Sequence, residues 1–166
     1  QVDRQVADIY EAITAVSPGI VLSAAVAANY DNPWGWGSVS VGNTDHFQDS
    51  RRWLLDKTID VLCPMAYWPM TEPKGQRTDF ASLADDWLLP ENAPWIGHVY
   101  MGQSADYAGL QETIAETGYV RDLRGPGHAL YAWAALVDHG HLDTLAAPDG
   151  PFELPALIPW MWWKAE

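Results

Sequence analysis

The chain alternates apolar runs of strand length with segments of helical periodicity, and the interval between them is regular. The apolar runs begin near residues 20, 60, 95 and 127. Alternation at this interval predicts successive βα units and a parallel sheet, because two parallel strands need a crossover that is usually a helix. The runs are apolar throughout, as expected for strands that helices cover. We therefore predict an α/β fold with the order α-β-α-β-α-β-α-β-α.

Local signals set the expected bounds of these elements. A helix is predicted over 2–16, since valine and isoleucine recur there at spacings of three and four and Ser17-Pro18-Gly19 ends the pattern. Asp79 is a predicted N-terminal cap of a later helix. The remaining predicted strands and helices are strands 20–28, 61–66, 95–102 and 128–136, and helices 47–57, 80–88, 110 to about 118, and 142–146.

Aromatic and polar side chains follow each predicted strand, where parallel sheets hold their functional groups. The chain has ten Trp and seven Tyr but only three Phe. Trp and Tyr combine an apolar face with a hydrogen-bonding tip, which suits a groove for a carbohydrate or another flat ligand with apolar and polar faces. The candidate ligand contacts are Asn29, Tyr30, Trp34, Trp36, Tyr67, Trp68, His98, Tyr100, Gln103 and Trp133.

Structural roles for the same residues stay open at this point. Tyr67 and Trp68 would otherwise pack beneath the next helix, and the loop that holds Trp34 and Trp36 would pack on its own rings. His98 lies in an apolar strand, where an interior histidine with satisfied hydrogen bonds is the default.

Composition and missing motifs exclude several classes of function. The net charge of −13 without a Lys/Arg cluster argues against nucleic acid or an anionic membrane surface as partner. No apolar run is long enough to span a membrane. Neither a dinucleotide-binding glycine motif nor a P-loop follows a strand, and no serine-hydrolase elbow is present.

The cysteine and histidine residues do not form a recognisable metal-binding pattern in the sequence. The lone Cys63 lies in an apolar run and is interpreted as a small buried hydrophobe. His139 and His141 have no third ligand at suitable spacing, so we predict neither a metal nor another cofactor.

Several segments, taken in order, resemble the glycosyl-hydrolase-like family ten domain, a bacterial (β/α)8 barrel. The segment "VDRQVADIYEAITAVSPGIVLSAAVAA" is similar to the family's helix and fifth strand, and "RRWLLDKTIDVLCPMAYWP" to its "I-D-x-x-x-P-Q-x-Y-W" block on the sixth strand. "WIGHVYMGQ" resembles the seventh strand, "GHALYAWAAL" the eighth, and "LPALIPWMWW" the closing segment.

This resemblance implies that residues 1–166 are the C-terminal half of one (β/α)8 domain, approximately strands five to eight. It implies hydrolysis of O-glycosidic bonds in a bacterial polysaccharide, with peptidoglycan glycan strands as a candidate substrate and an extracellular or cell-envelope location. Met65 and His98 stand where the family often has Gln, so polar contacts in the cleft are expected to differ. The chain would supply the walls of the substrate cleft and be inactive alone.

The catalytic residues are expected outside this chain, because the family's acidic "D-D-Y-x-Y-P" segment would precede Gln1. We interpret the N-terminus as cut, and the missing N-terminal half-barrel as the partner that carries the carboxylates. Glycoside hydrolysis usually needs two carboxyl groups about 5 to 9.5 Å apart. No catalytic role is assigned to the loop acids nearest the strand ends, namely Asp31, Asp45, Glu72 and Asp106.

Two alternatives remain at the sequence level. One is a non-catalytic carbohydrate-binding module or degenerate barrel, which would explain a ring-rich rim without an acid pair. The other is a small doubly wound α/β domain that is complete in itself. The opening helix disfavours the second alternative, because such a domain is expected to begin with a strand.

Overall fold

Four parallel strands form a single sheet in the order β1-β2-β3-β4 in the computed structural model of the chain. The structure describes residues 1–37, 39–71, 74–89, 98–106, 109–157 and 159–164. The strands are β1 (Ser23–Ala27), β2 (Val61–Met65), β3 (His98–Ser104) and β4 (Gly127–Tyr131). The helices are α1 (Val2–Val16), α2 (Gly42–Asp45), α3 (Ser50–Leu55), α4 (Phe80–Leu88), α5 (Leu110–Asp122), α6 (Trp133–Asp138) and α7 (Leu142–Leu145), with a 3-10 turn at Trp162–Lys164.

The predicted α/β class with a parallel sheet and flanking helices is confirmed, and it is compatible with part of a (β/α) repeat. Neighbouring strands are in register from their amino ends, with Ser23 opposite Val61 and Val61 opposite His98. β4 begins further along β3, with Gly127 opposite Tyr100.

One face of the sheet is covered by helices and carries the main core. Val26, Leu62 and Met101 point to this face and are fully buried together with Phe80 and Trp87 of α4. The indole Nε1 of Trp87 donates to the Ala28 carbonyl at 2.7 Å, so α4 is tied to the end of β1 by a buried hydrogen bond. The strands are apolar at these positions because they pack directly against helices.

The opposite face, which we call the open face, is largely uncovered toward the carboxyl ends of the strands. Ser23, Ala25, Met65 and Tyr131 point to it and are exposed. Toward the amino ends, residues 152–157 and 159–161 run across this face and leave a cleft beneath them. The two faces therefore differ sharply in how well they are covered.

The predicted cap of α4 is confirmed. The Asp79 carboxylate accepts hydrogen bonds from the Ser82 N–H and the Gly75 N–H, each at 2.8 Å. Asp79 is fully buried, so these bonds satisfy a charge that would otherwise be costly in the interior. The cap fixes where the loop after β2 returns to a helix.

The predicted fourth strand is wrong over its second half. β4 ends at Tyr131, and Trp133 opens α6 rather than lying near the end of a strand. The run "HALYAWAAL" has no polar residues at regular intervals, so its periodicity does not tell a strand from a buried helix. Its Ala-rich second half takes the helical conformation, which alanine favours.

Two further predictions are corrected. The helix expected over 47–57 is present as the shorter α3 (Ser50–Leu55), because Phe47, at a φ of +55°, lies outside any helix, and the short helix α2 precedes it. β3 extends to Ser104, so Gln103 lies inside the strand, as Tyr100 does, instead of after it. The start expected for this strand, 95–97, lies outside the described residues.

Candidate functional site

Two tyrosines stack on each other at the carboxyl end of the open face, and we call them the tyrosine pair. Tyr67 follows β2 and Tyr131 ends β4; their ring centroids are 5.6 Å apart with an interplanar angle of 21°. The rings meet above β3, where the small residues Gly102 and Ser104 lie opposite Met65 and Tyr131 in the strand register. The sheet order thus brings together two rings that are 64 positions apart in sequence numbering.

The tyrosine pair presents an aromatic platform to solvent. The side chain of Tyr131 is 65% exposed, and Trp133, which follows it at the start of α6, is 68% exposed. Met65 is 36% exposed two positions before Tyr67. Exposed rings in a cluster, in contrast to rings scattered singly, are typical of a binding surface.

A polar pair lies beside this platform. The backbone N–H of Ala105 donates to the Tyr131 carbonyl at 2.8 Å, so Asp106, the next residue, lies close to Tyr131. The Asp106 carboxylate is 3.3 Å from Nε2 of His139, and both side chains are substantially exposed. A carboxylate accepts hydrogen bonds from hydroxyl groups, and an imidazole can donate a hydrogen bond to a hydroxyl group or accept one from it.

Tyr30 is buried on the helix-covered side of the sheet, where its ring contacts Trp87, and the preceding residue Asn29 is buried as well. The Tyr30 hydroxyl donates to Asp49 at 2.5 Å, and the Arg51 guanidinium lies 4.5 Å from its ring centroid. Burial and the Asp49 carboxylate raise the pKa of Tyr30. Asn29 is only 1% exposed, and among the described residues neither its amide nitrogen nor its amide oxygen has a hydrogen-bond partner. Tyr30, which packs in the main core, is separated from the tyrosine pair.

The loop after β1 packs on its own rings. Trp34 and Trp36 stack with centroids 4.1 Å apart, and the Trp36 indole donates to the Gly75 carbonyl at 3.0 Å. The Asn32 side chain bonds both the N–H and the carbonyl of Trp36 at 2.9 Å. Trp68 is half-buried against the main core. These contacts match the packing roles that the sequence leaves open for Trp34, Trp36 and Trp68.

Gln103 points away from the open face and into the interface between β3 and α5. It is fully buried, with its amide nitrogen 3.4 Å from a Glu116 carboxylate oxygen and 3.4 Å from the Thr117 hydroxyl. Its predicted role as a cleft residue following the third strand is therefore not supported by its position. Successive side chains of a strand point to opposite faces of the sheet, so Gln103 points to the same face as Met101 of the core.

Glu116 is a buried carboxyl group that the sequence analysis did not single out. It is 1% exposed; burial, with a smaller effect from Glu112, raises the pKa of Glu116 to about 8. The side chain is therefore protonated near neutral pH. A usable signal is present in the sequence, since Thr113, Glu116, Thr117 and Val120 form a buried stripe at helical spacing.

His98 and Tyr100 lie toward the amino ends of the strands, away from the tyrosine pair. Their rings are 5.9 Å apart, and the His98 ring is 5.1 Å from Trp163 of the C-terminal segment. Burial lowers the pKa of His98. The expectation that rings from all four strands meet at one rim is thus wrong for Tyr100.

The cleft at this amino end has a volume of about 860 Å³ and is lined mainly by apolar groups. Val61, Cys63 and Tyr100 form its floor on the sheet, and Leu157 and Met161 of the C-terminal segment face them. Burial raises the pKa of the Cys63 thiol, which favours the predicted role of an unreactive apolar residue.

The loop acids that were considered for catalysis have structural partners. Asp31 accepts from the Asn43 amide at 3.0 Å, and Asp45 accepts from the Val41 N–H at 2.8 Å. Glu72 lies outside the described residues. Among the residues that the structure describes, no group of three metal-ligating side chains comes together.

No family model matches the chain, and no curated protein matches its sequence. Within the described ranges, none of the helices combines the length and the apolar character that crossing a membrane requires.

Proposed function

We propose that this chain is the C-terminal half of a (β/α)8 glycoside hydrolase-like domain and forms the saccharide-binding wall of its cleft. The reaction is hydrolysis of O-glycosidic bonds in a bacterial polysaccharide outside the cell or in its envelope, with peptidoglycan glycan strands as the candidate substrate. The observation that carries this proposal is the stacked tyrosine pair, with Tyr131 exposed, at the carboxyl ends of parallel strands.

The chemistry of the platform suits a sugar ring. A pyranose offers an apolar C–H face and a periphery of hydroxyl groups, so it binds best where an aromatic face lies next to hydrogen-bonding groups. Tyr131 and Trp133 supply exposed aromatic faces. Asp106 and His139, beside Tyr131, supply acceptors and a donor for the hydroxyls.

In this proposal the chain binds substrate but does not cleave it. Asp31 accepts from Asn43, Asp45 accepts from the Val41 N–H, and Asp106 lies against His139, so each of these acids already has a partner in the chain. The general acid and the second carboxylate come from a preceding half-barrel. The chain alone is accordingly expected to bind glycan and to show no hydrolysis.

Co-sedimentation with insoluble peptidoglycan tests the binding. We expect the chain to be retained, and Tyr131→Ala to weaken retention at least tenfold, because the substitution removes the exposed face of the platform. Val16→Ala is the control: Val16 is also exposed, at 87%, but it ends α1, which leads into the amino end of β1. Retention of Tyr131→Ala at the wild-type level, or no retention of the wild type, contradicts the proposal.

A second candidate is a non-catalytic carbohydrate-binding module or degenerate barrel. The engagement of the loop acids in structural contacts favours it. The two candidates agree on binding and differ on cleavage by the longer protein. Release of reducing ends from peptidoglycan by a chain that includes the preceding half favours the hydrolase; binding without release favours the module.

A further inference from the structure

Both edges of the sheet are left without a neighbouring strand in the described part of the chain. β1 and β4 are the two edge strands, each five residues long, with the sequences "SAAVA" and "GHALY". Edge strands that face solvent are usually protected by lysine, proline or a bulge. Neither strand contains a charged residue or a proline, so both edges have the composition of strands that are paired on both sides.

The backbone at each edge has groups available for pairing. The Ala27 N–H points outward, where it donates to the Gln48 side chain at 3.1 Å, so the peptide groups of Ser23 and Ala25 point outward as well. In β4 the Tyr131 carbonyl points toward β3. The alternation of a strand then turns the peptide groups of His128 and Leu130 outward.

The open face between these edges is apolar as well as uncovered. Ala25, Met65 and Tyr131 are exposed on it, and the four strands carry no charged side chain. The segment that crosses its amino end adds Leu154, Leu157 and Trp160, with Leu157 92% exposed. A monomer with the whole of this surface in water would be unusual.

The parallel order of the strands indicates which molecule can pair with both edges. All strands are parallel and follow one another in sequence order, so β1 of a second copy relates to β4 as β2 relates to β1. Two copies supply eight strands, the number at which a barrel's interior is just filled by side chains. Rotation by 180° about the barrel axis makes both seams identical, so the assembly closes at a dimer.

We propose that a second copy of this chain docks on the open face, with β4 of each copy pairing in parallel with β1 of the other. The outward peptide groups of Ser23 and Ala25 then hydrogen-bond with those of His128 and Leu130 at each seam. The loop that follows β1 of the second copy then lies beside Tyr131 and completes the rim around the tyrosine pair. The proposed function assigns this position to a preceding half-barrel; the second copy occupies it when residues 1–166 are alone.

Light scattering coupled to size exclusion, together with sedimentation velocity, tests this arrangement. We expect a single species at twice the 18.4 kDa chain mass. Ala25→Lys introduces a charge on the open face, where Ala25 is exposed in the monomer but enclosed in the dimer, and we expect at least tenfold weaker dimerisation. The matched control is Ala12→Lys on the exposed side of α1, which should leave dimerisation unchanged.

A cross-link reports the seam directly. Ala25→Cys and Ala129→Cys, combined in a Cys63→Ser background, place one thiol on each edge strand on the side of the open face. Mild oxidation should give a covalent dimer, while either cysteine alone should give little. A wild-type monomer, a ladder of open polymers, or a dimer unaffected by Ala25→Lys overturns the inference.

The outcomes separate this inference from the proposed function. A dimer that does not bind peptidoglycan leaves the barrel closure standing and overturns the saccharide site. A monomer that binds peptidoglycan through Tyr131 overturns the barrel closure and leaves the saccharide site standing.

Discussion

Asp60 offers the sharpest test of what holds the amino end of the sheet together. Its carboxylate is fully buried just before β2 and accepts hydrogen bonds from the Tyr10 hydroxyl at 3.0 Å, the Trp163 indole at 2.8 Å and the Leu22 N–H at 2.8 Å. The Lys164 ammonium lies 3.0 Å from its second oxygen. One side chain thus joins α1, the start of β1 and the C-terminal segment. We therefore choose Asp60→Asn, which keeps the shape and removes the charge.

The expected loss follows from burial. Lys164 has a side chain only 9% exposed; burial by itself would lower its pKa, but its bonds to Tyr10 and Asp60 outweigh this and raise it. Removing one partner of a buried ion pair typically costs about 3–5 kcal/mol, because the other charge stays buried without compensation. Domains of this kind are stable by about 5–15 kcal/mol in total. We expect Asp60→Asn to lower the free energy of unfolding by about 3–5 kcal/mol.

Urea unfolding followed by tryptophan fluorescence measures this loss at one fixed protein concentration. Asp56→Asn is the matched control, because Asp56 lies in an exposed ion pair with Arg52 that contributes little in water. Adding Lys164→Met to Asp60→Asn removes the uncompensated charge and should recover part of the stability. A loss below about 1 kcal/mol for Asp60→Asn refutes the reasoning on buried charge, as does a double variant no more stable than the single one.

Two other perturbations test the sheet and the α5 interface. Burial holds the pKa of Glu116 at about 8 in the folded chain, while an unfolded glutamate has a pKa of about 4.3, so stability should fall as pH rises between these values, by up to about 1.4 kcal/mol per unit. Glu116→Gln should flatten this slope in urea unfolding at pH 5, 6, 7 and 8; an unchanged slope contradicts the assignment. A Cβ at Gly102 would lie 2.7 Å from the Pro64 carbonyl, so Gly102→Ala should cost about 1–3 kcal/mol in thermal unfolding. Gly118→Ala, which meets nothing within 4 Å on α5, should be neutral or stabilising, and equal effects of the two would contradict the close approach of β2 and β3.

Elements with local signals were predictable from the sequence. The bounds of α1 and α4 and the Asp79 cap agree with the structure, because apolar spacing and an acidic cap act within a few residues of each other. The end of β4 was not predictable in this way. The residues after Tyr131 are apolar in either conformation, and only packing of α6 against α7 and its neighbours distinguishes them.

The candidate site was predictable only in part, because a side chain's face depends on register. Tyr67 and Tyr131 meet since β2 and β4 both neighbour β3, a relation between distant segments that no local pattern encodes. Tyr131 itself was not among the candidate contacts, although its neighbour Trp133 was. The sequence predicts an earlier end for β3 and therefore places Gln103 in the cleft. In the structure Gln103 lies within β3, and its side chain points toward α5.

The two faces of the sheet differ in how far this chain alone covers them. On the helix-covered face, the buried polar groups of Asp79 and Gln103 have partners within the chain, so these groups need no further partner. On the open face, exposed apolar side chains lie between two edge strands that lack any protective charge. The tyrosine pair is at the carboxyl end of that same face, so whatever covers the sheet also forms the other wall of the cleft. Barrel closure and ligand binding are therefore coupled by geometry: a substitution that opens the seam at Ala25 should also weaken glycan retention, whereas Tyr131→Ala should weaken retention and leave the seam closed.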